Sequence, residues 1–64
     1  MFVNPTAIAL YKDAARKTKL RDLPANTRME VTASSPGSYA TRIVDQGDAG
    51  LTGYVDPKLV KQES

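Results

Sequence analysis

A chain of 64 residues with no Cys and no His has room for one domain. It excludes both a disulfide framework and a zinc site built on thiolate or imidazole ligands. Its net charge of +2, from 9 Lys and Arg against 7 Asp and Glu, suits an anionic partner without requiring one.

The basic residues lie mostly in the first half. Residues 1–32 carry six Lys or Arg against three Asp or Glu, and residues 33–64 carry three against four. Met1-Phe2-Val3-Asn4-Pro5 has neither the charged start nor the apolar run of a secretory signal. The longest nearly apolar run, Ala7-Ile8-Ala9-Leu10-Tyr11, is far short of the about 20 residues that a membrane helix needs. Taken as a whole protein, the chain is expected to be soluble, cytoplasmic and free of membrane, with one domain over residues 1–64 and a core of about residues 6–61. At this size apolar burial, at about 25 cal/mol per Å², barely offsets roughly 1.5 kcal/mol of ordering entropy per residue. With no metal or disulfide to help, packing and hydrogen bonds must hold the fold.

Thr6 to Tyr11 reads as the first strand. From Tyr11 to Leu23 the chain has good helix formers, but Leu20 and Leu23 are the only large apolar residues after Tyr11. That stripe is too thin to seat a helix on a core, so a long irregular hairpin loop is expected, with a helix as the alternative. Within it, Arg16, Lys17, Lys19 and Arg21 place four cations in six residues. Such a patch suits nucleic-acid phosphates, an acidic protein face or a polyanionic wall polymer. It equally suits a solvated loop that maintains solubility. No aromatics are interleaved to stack on bases.

Pro24-Ala25-Asn26, Ser34-Ser35-Pro36-Gly37-Ser38 and Gln46-Gly47-Asp48-Ala49-Gly50 carry turn chemistry. Between them, Arg28-Met29-Glu30-Val31-Thr32 alternates polar and apolar, the period of a half-buried strand. Tyr39 to Val44 and Leu51 to Val55 are rich in β-branched and aromatic residues. Short strands at this spacing predict an all-β barrel or sandwich.

Catalysis finds no support. The seven carboxylates fall mostly in turns or at outward strand positions, and without His or Cys no nucleophile–base spacing stands out. There is no phosphate-cradling Gly loop. Asp45-Gln46-Gly47-Asp48 lacks the twelve-residue pattern and terminal Glu of a calcium loop. No catalytic residue, cofactor or metal is expected.

The order "AIALYKDAA" (7–15), "LPANTRMEV" (23–31), "YATRIV" (39–44) and "GLTGYVDPKLV" (50–60) resembles an SH3-like domain of the bacterial type. The resemblance covers nearly the whole chain and implies a small five-stranded barrel with a long first (RT-type) loop. It makes Thr52 to Val55 the fourth strand and Asp56-Pro57-Lys58-Leu59 a 3₁₀ turn. Val60 and Lys61 would start a last strand paired with the first. Gly53 would sit where two backbones approach closely. Asp56 is expected either to cap the turn or to be an exposed turn carboxylate. The inward set is Ile8, Leu10, Leu23, Met29, Val31, Ile43, Val55 and Val60, with Ala7 or Ala9 filling gaps and Ile43 exchangeable with Val44 by one register slip.

The polyproline shelf of eukaryotic SH3 domains does not carry over. Tyr11 matches its first tyrosine, but Asp13 stands at the second, there is no Trp, and "RKTKLRD" is basic where the family's ligand-binding loop is acidic. Tyr11, Tyr39 and Tyr54 remain as contact candidates, each also a candidate for core packing. The expectation is a non-catalytic module that contacts a protein through a face bearing Tyr11 and Tyr39 and the basic loop, an accessory or inhibitor protein such as phages and mobile elements carry. The alternatives are a basic barrel that binds nucleic acid, a peptidoglycan-attachment domain, and a subunit of a symmetric oligomer.

Overall fold

A computed structural model describes residues 1–45, 47 and 49–63. Seven strands follow in chain order: β1 (Phe2–Val3), β2 (Ile8–Tyr11), β3 (Lys19–Leu23), β4 (Arg28–Ser35), β5 (Ser38–Ile43), β6 (Thr52–Val55) and β7 (Lys61–Gln62). A 3₁₀ turn at Pro57–Leu59 precedes β7. They form one antiparallel sheet in the order β3-β2-β6-β5-β4-β1-β7. The fold is all-β, and no α-helix occurs among the described residues.

The expectation of five strands is corrected to seven, and among the described residues nothing pairs β3 with β7 to close the ladder. The two added strands have clear physical reasons for being hard to see. β1 is two residues long, and its partners are distant in sequence: Phe2 faces Met29 and Gln62. β3 lies in what reads as a long loop, and only its Leu23 is buried. The tail strand does return to the head of the chain, but it pairs with β1 rather than with the Ile8–Tyr11 strand. The first predicted strand starts at Ile8, not Thr6.

The sheet coils around its apolar face. Seven strands laid flat would span roughly 29 Å and be about 10 Å thick, whereas the molecule measures 25 × 22 × 19 Å. The enclosed core is Ile8, Leu10, Leu23, Met29, Ile43, Val55 and Val60. Phe2, Tyr39 and Leu51 pack against its rim. Ile43, not Val44, is the inward residue, and it faces Met29 across the β4–β5 ladder. Val31 departs from its expected place and is only half-buried, because a bulge between Val31 and Ala33 shifts the strand there. Ala7 is exposed and Ala9 half-buried, so neither fills a core gap.

Two turns show the local chemistry. β4 and β5 join through Pro36-Gly37 alone, with Gly37 at φ +84°, a value that glycine adopts without a Cβ penalty. Asn26 reaches φ +67° in the turn between β3 and β4, and Asn tolerates that region better than most residues. Gln46 and Asp48 of the predicted turn at 46–50, and Ser64, lie outside the described residues.

Candidate functional site

The register of four ladders sets one row of side chains across the sheet. Ala33 faces Ala40, Ala40 faces Tyr54, Tyr54 faces Tyr11, and Tyr11 faces Lys19. Directly opposed residues of an antiparallel pair share a face, so this row runs along the side opposite the core. Alternation within each strand agrees. Gly53 and Val55 flank Tyr54 and are buried, and Leu10 beside Tyr11 is fully buried.

The structure therefore brings Tyr11 and Tyr54 together and separates Tyr39 from them. Tyr39 faces Val55 on the core side and meets Phe2 edge-on, with ring centroids 5.7 Å apart and planes at 67°. That arrangement uses its ring for packing. The expected pairing of Tyr11 with Tyr39 on one face gives way to Tyr11 with Tyr54.

Beside Tyr54 lies a shallow depression of about 250 Å³, lined by Lys12, Thr32, Ala40, Thr52 and Gly53 among others. Ala40 contributes only one methyl to it. A Cβ at Gly53 would point to the core side instead, 2.6 Å from Leu10 Cγ and 2.9 Å from the Tyr11 carbonyl oxygen. The close backbone approach expected at Gly53 is thus present. Thr32 and Thr41 already donate their hydroxyls, to the carbonyls of Ala40 and Gly53, both at 3.2 Å. Lys12, Thr52 and Tyr54 supply the lining's other polar side chains.

The basic segment is not one free loop. Asp13 folds its first part: Oδ1 accepts from the amides of Lys17 and Thr18, both at 3.1 Å, and its carbonyl accepts from Arg16 N at 3.0 Å. Lys12 N donates to the Thr18 carbonyl at 2.8 Å and closes the turn. Arg16, at φ +57°, is an uncommon conformation for a side-chain-bearing residue. Its Nη1 lies 2.9 Å from Asp56 Oδ2, and its Nε is buried without a hydrogen-bond partner. Lys19 and Arg21 belong to β3, not to a loop. Lys19 Nζ reaches Asp22 Oδ1 at 3.2 Å in an exposed pair.

Of the two readings open for Asp56 the cap holds: the residue is half-buried rather than an exposed turn carboxylate. Its Oδ1 accepts from Lys58 N at 2.9 Å and caps the 3₁₀ turn, while Oδ2 holds Arg16. The amide of Lys58 above all holds its carboxyl below its ordinary value of 3.8; desolvation opposes it, and the Arg16 guanidinium adds to the lowering. The first loop is in this way tied to the turn before the last strand.

Sequence reading missed Lys12, Thr32 and Thr52 of the depression, whose only local signal is that Lys12 adjoins Tyr11. It also missed Asn4, which forms no part of this face but anchors the opposite end of the sheet. Among the described residues no helix is long and apolar enough to cross a membrane, and no group of three or more His, Cys, Asp or Glu is placed to hold a metal ion. No protein-family model, curated protein or solved structure matches the chain.

Proposed function

We propose that this chain is a non-catalytic binding domain of SH3-like architecture that contacts a protein partner through the row Ala40–Tyr54–Tyr11–Lys19 and the depression beside it. The architectural part of the reading rests on the order of elements: a first hairpin (β2–β3), a tight β4–β5 hairpin, and a 3₁₀ turn before the last strand. The functional part rests on one observation. Two tyrosines that the core does not use stand directly opposed on the outward face, on the neighbouring strands β2 and β6. Tyrosine offers large contact area with few torsions to freeze and a polar tip that tolerates water in the free state. Lys12 and Lys19 border the pair and favour an acidic partner surface.

The cations do not favour a nucleic-acid partner. Among the described residues at least four of the nine already lie in ion pairs with this chain's own carboxylates: Arg16 with Asp56, Lys19 with Asp22, Arg28 with Glu63 and Arg42 with Glu30.

The test is capture of a partner with the immobilised domain, identification, and direct titration of the purified pair. Tyr54→Ala and Tyr11→Ala should each weaken binding by about tenfold or more, the range of interface hot spots. Tyr39→Ser should lower thermal stability instead. Equal binding by wild type and the Tyr11→Ala/Tyr54→Ala double variant would overturn the reading. So would affinity for nucleic acid that falls by orders of magnitude between 50 and 200 mM salt, as phosphate-driven binding does.

A further inference from the structure

The depression beside Tyr54 carries one charge. Lys12 is the only charged residue of its lining, and no carboxylate joins it there. The side chains of Lys12, Thr52 and Tyr54 make no hydrogen bond or ion pair among the described residues. The carboxylates that adjoin the lining in sequence are engaged elsewhere. Asp13 Oδ1 accepts from the amides of Lys17 and Thr18. Glu30, on β4, receives Arg42 Nη2 at 2.6 Å. Asp56 holds Arg16 and the amide of Lys58.

This lining defines a complement. An ammonium and two hydroxyls all donate, and the group that only accepts is an ionised carboxylate. Its bond to an ammonium is of the stronger, charge-assisted kind. Size narrows the choice further. The depression has about 250 Å³, the space of roughly eight waters at about 30 Å³ each, which admits one side chain and no larger element. A nucleic-acid backbone repeats its charge and calls for a track of cations. On this face the neighbouring cations Lys19 and Arg42 are paired with Asp22 and Glu30.

We propose that the depression seats one Asp or Glu side chain of the protein partner. Its carboxylate meets the Lys12 ammonium with the hydroxyls of Thr52 and Tyr54 as further donors, and its methylene stem covers the Ala40 methyl. This rests on the reading that Tyr11 and Tyr54 form a contact face, and it names what that face takes beside the two rings. Lys12 is exposed, so the ion pair sets selectivity more than affinity.

The probe is acetyl-glutamate amide, titrated into the isotope-labelled domain at constant ionic strength and followed by amide NMR. Acetyl-glutamine amide is the neutral control. Acetyl-alanine with a free carboxyl end and methyl phosphate are the competing anions. The glutamate probe should shift the amides of Ala40, Thr52, Gly53 and Tyr54 saturably. It should bind about threefold or more tightly than the glutamine one, the range of an exposed pair. Lys12→Met should remove that difference, and Lys61→Met, which takes the same charge from β7, should keep it. With the captured partner, Lys12→Glu should weaken binding about tenfold, and one acidic-to-Lys change in the partner should restore it.

Equal response to the glutamate and glutamine probes, or none at these four amides, overturns the proposal. So does a preference for methyl phosphate or for the free chain end. Shifts of the same amides on concentrating the domain alone, lost in Lys12→Met, would give the depression to a second copy and overturn a foreign occupant. A partner that depends on Tyr11 and Tyr54 but not on Lys12 would overturn the seat and leave the contact face standing. A seat that takes the glutamate probe, with a partner indifferent to Tyr11→Ala/Tyr54→Ala, would do the reverse.

Discussion

The side chain of Asn4 accepts a hydrogen bond from the backbone amide of Thr27, 23 positions further along the chain, at 2.8 Å. The same side chain donates to the carbonyls of Thr6 and Pro24, both at 2.8 Å, and the Asn4 carbonyl accepts from Asn26 N. Thr27 Oγ1 also donates to Pro24 O at 2.6 Å. Asn4 is fully buried. One amide group thus supplies what a missing ladder would have supplied, and it fixes the turn before β4 against the start of the chain.

Asn4→Ala should therefore be among the most damaging single changes. It strands the Thr27 amide and takes the side-chain donor from the Thr6 carbonyl, while the Pro24 carbonyl keeps the Thr27 hydroxyl. The expected loss is about 2–3 kcal/mol, read as a drop in melting temperature of at least about 8 °C for a domain of this size. A drop within the scatter of surface substitutions would show that water replaces the amide without cost.

Gly53→Ala should destabilise by about 1–3 kcal/mol through overpacking, because the new methyl would meet Leu10 Cγ at 2.6 Å, Leu10 Cδ1 at 2.7 Å and the Tyr11 carbonyl at 2.9 Å. Denaturant unfolding of Gly53→Ala alone and with Leu10→Ala checks the mechanism. If the clash is the cause, the double variant loses less than the sum of the two single losses.

At Arg16 two effects oppose each other. Arg16→Ala loses the Asp56 contact and keeps the strained φ of +57°. Arg16→Gly loses the same contact and relieves the strain. Glycine should therefore be the more stable of the two by up to about 1 kcal/mol, and a reversed order in thermal unfolding would remove φ from the account.

Asp56 predicts a pH dependence. Its carboxyl titrates below 3.8 in the folded chain, through the Lys58 amide first and Arg16 second. The unfolded state thus binds the proton more readily. The stabilisation is present above the unfolded value and is lost as pH falls through the folded one. Asp56→Asn, which keeps an acceptor for the Lys58 amide, should lose less stability than wild type between pH 5 and pH 2. Parallel stability–pH curves for the two proteins would refute this.

Sequence made most of the central sheet legible. Alternation in Arg28 to Val31 placed Met29 inward, and the resemblance to an SH3-like domain implied the 3₁₀ turn after Val55, with Asp56 open between a cap and an exposed carboxylate. What stayed hidden had little apolar signal to give. β3 buries one residue of five and is written mainly in charge, so no periodicity marks it. β1 is too short for a period. Asn4 is a polar residue in the interior, where hydropathy does not look, and its partners are set only once the chain has folded. The face of Tyr39 depends on which residues oppose it across β4 and β6, and single strands do not reveal register.

The pairing of β1 with β7 sets Phe2 opposite Gln62, and Glu63 N donates to the Met1 carbonyl at 2.7 Å. Entry and exit of the chain thus lie side by side. A short flexible linker could join them into a ring, and fresh termini could be cut at the exposed Pro36-Gly37 tip. The same geometry would let this unit be spliced into a surface loop of a host protein as a cassette, without stretching either the insert or the host.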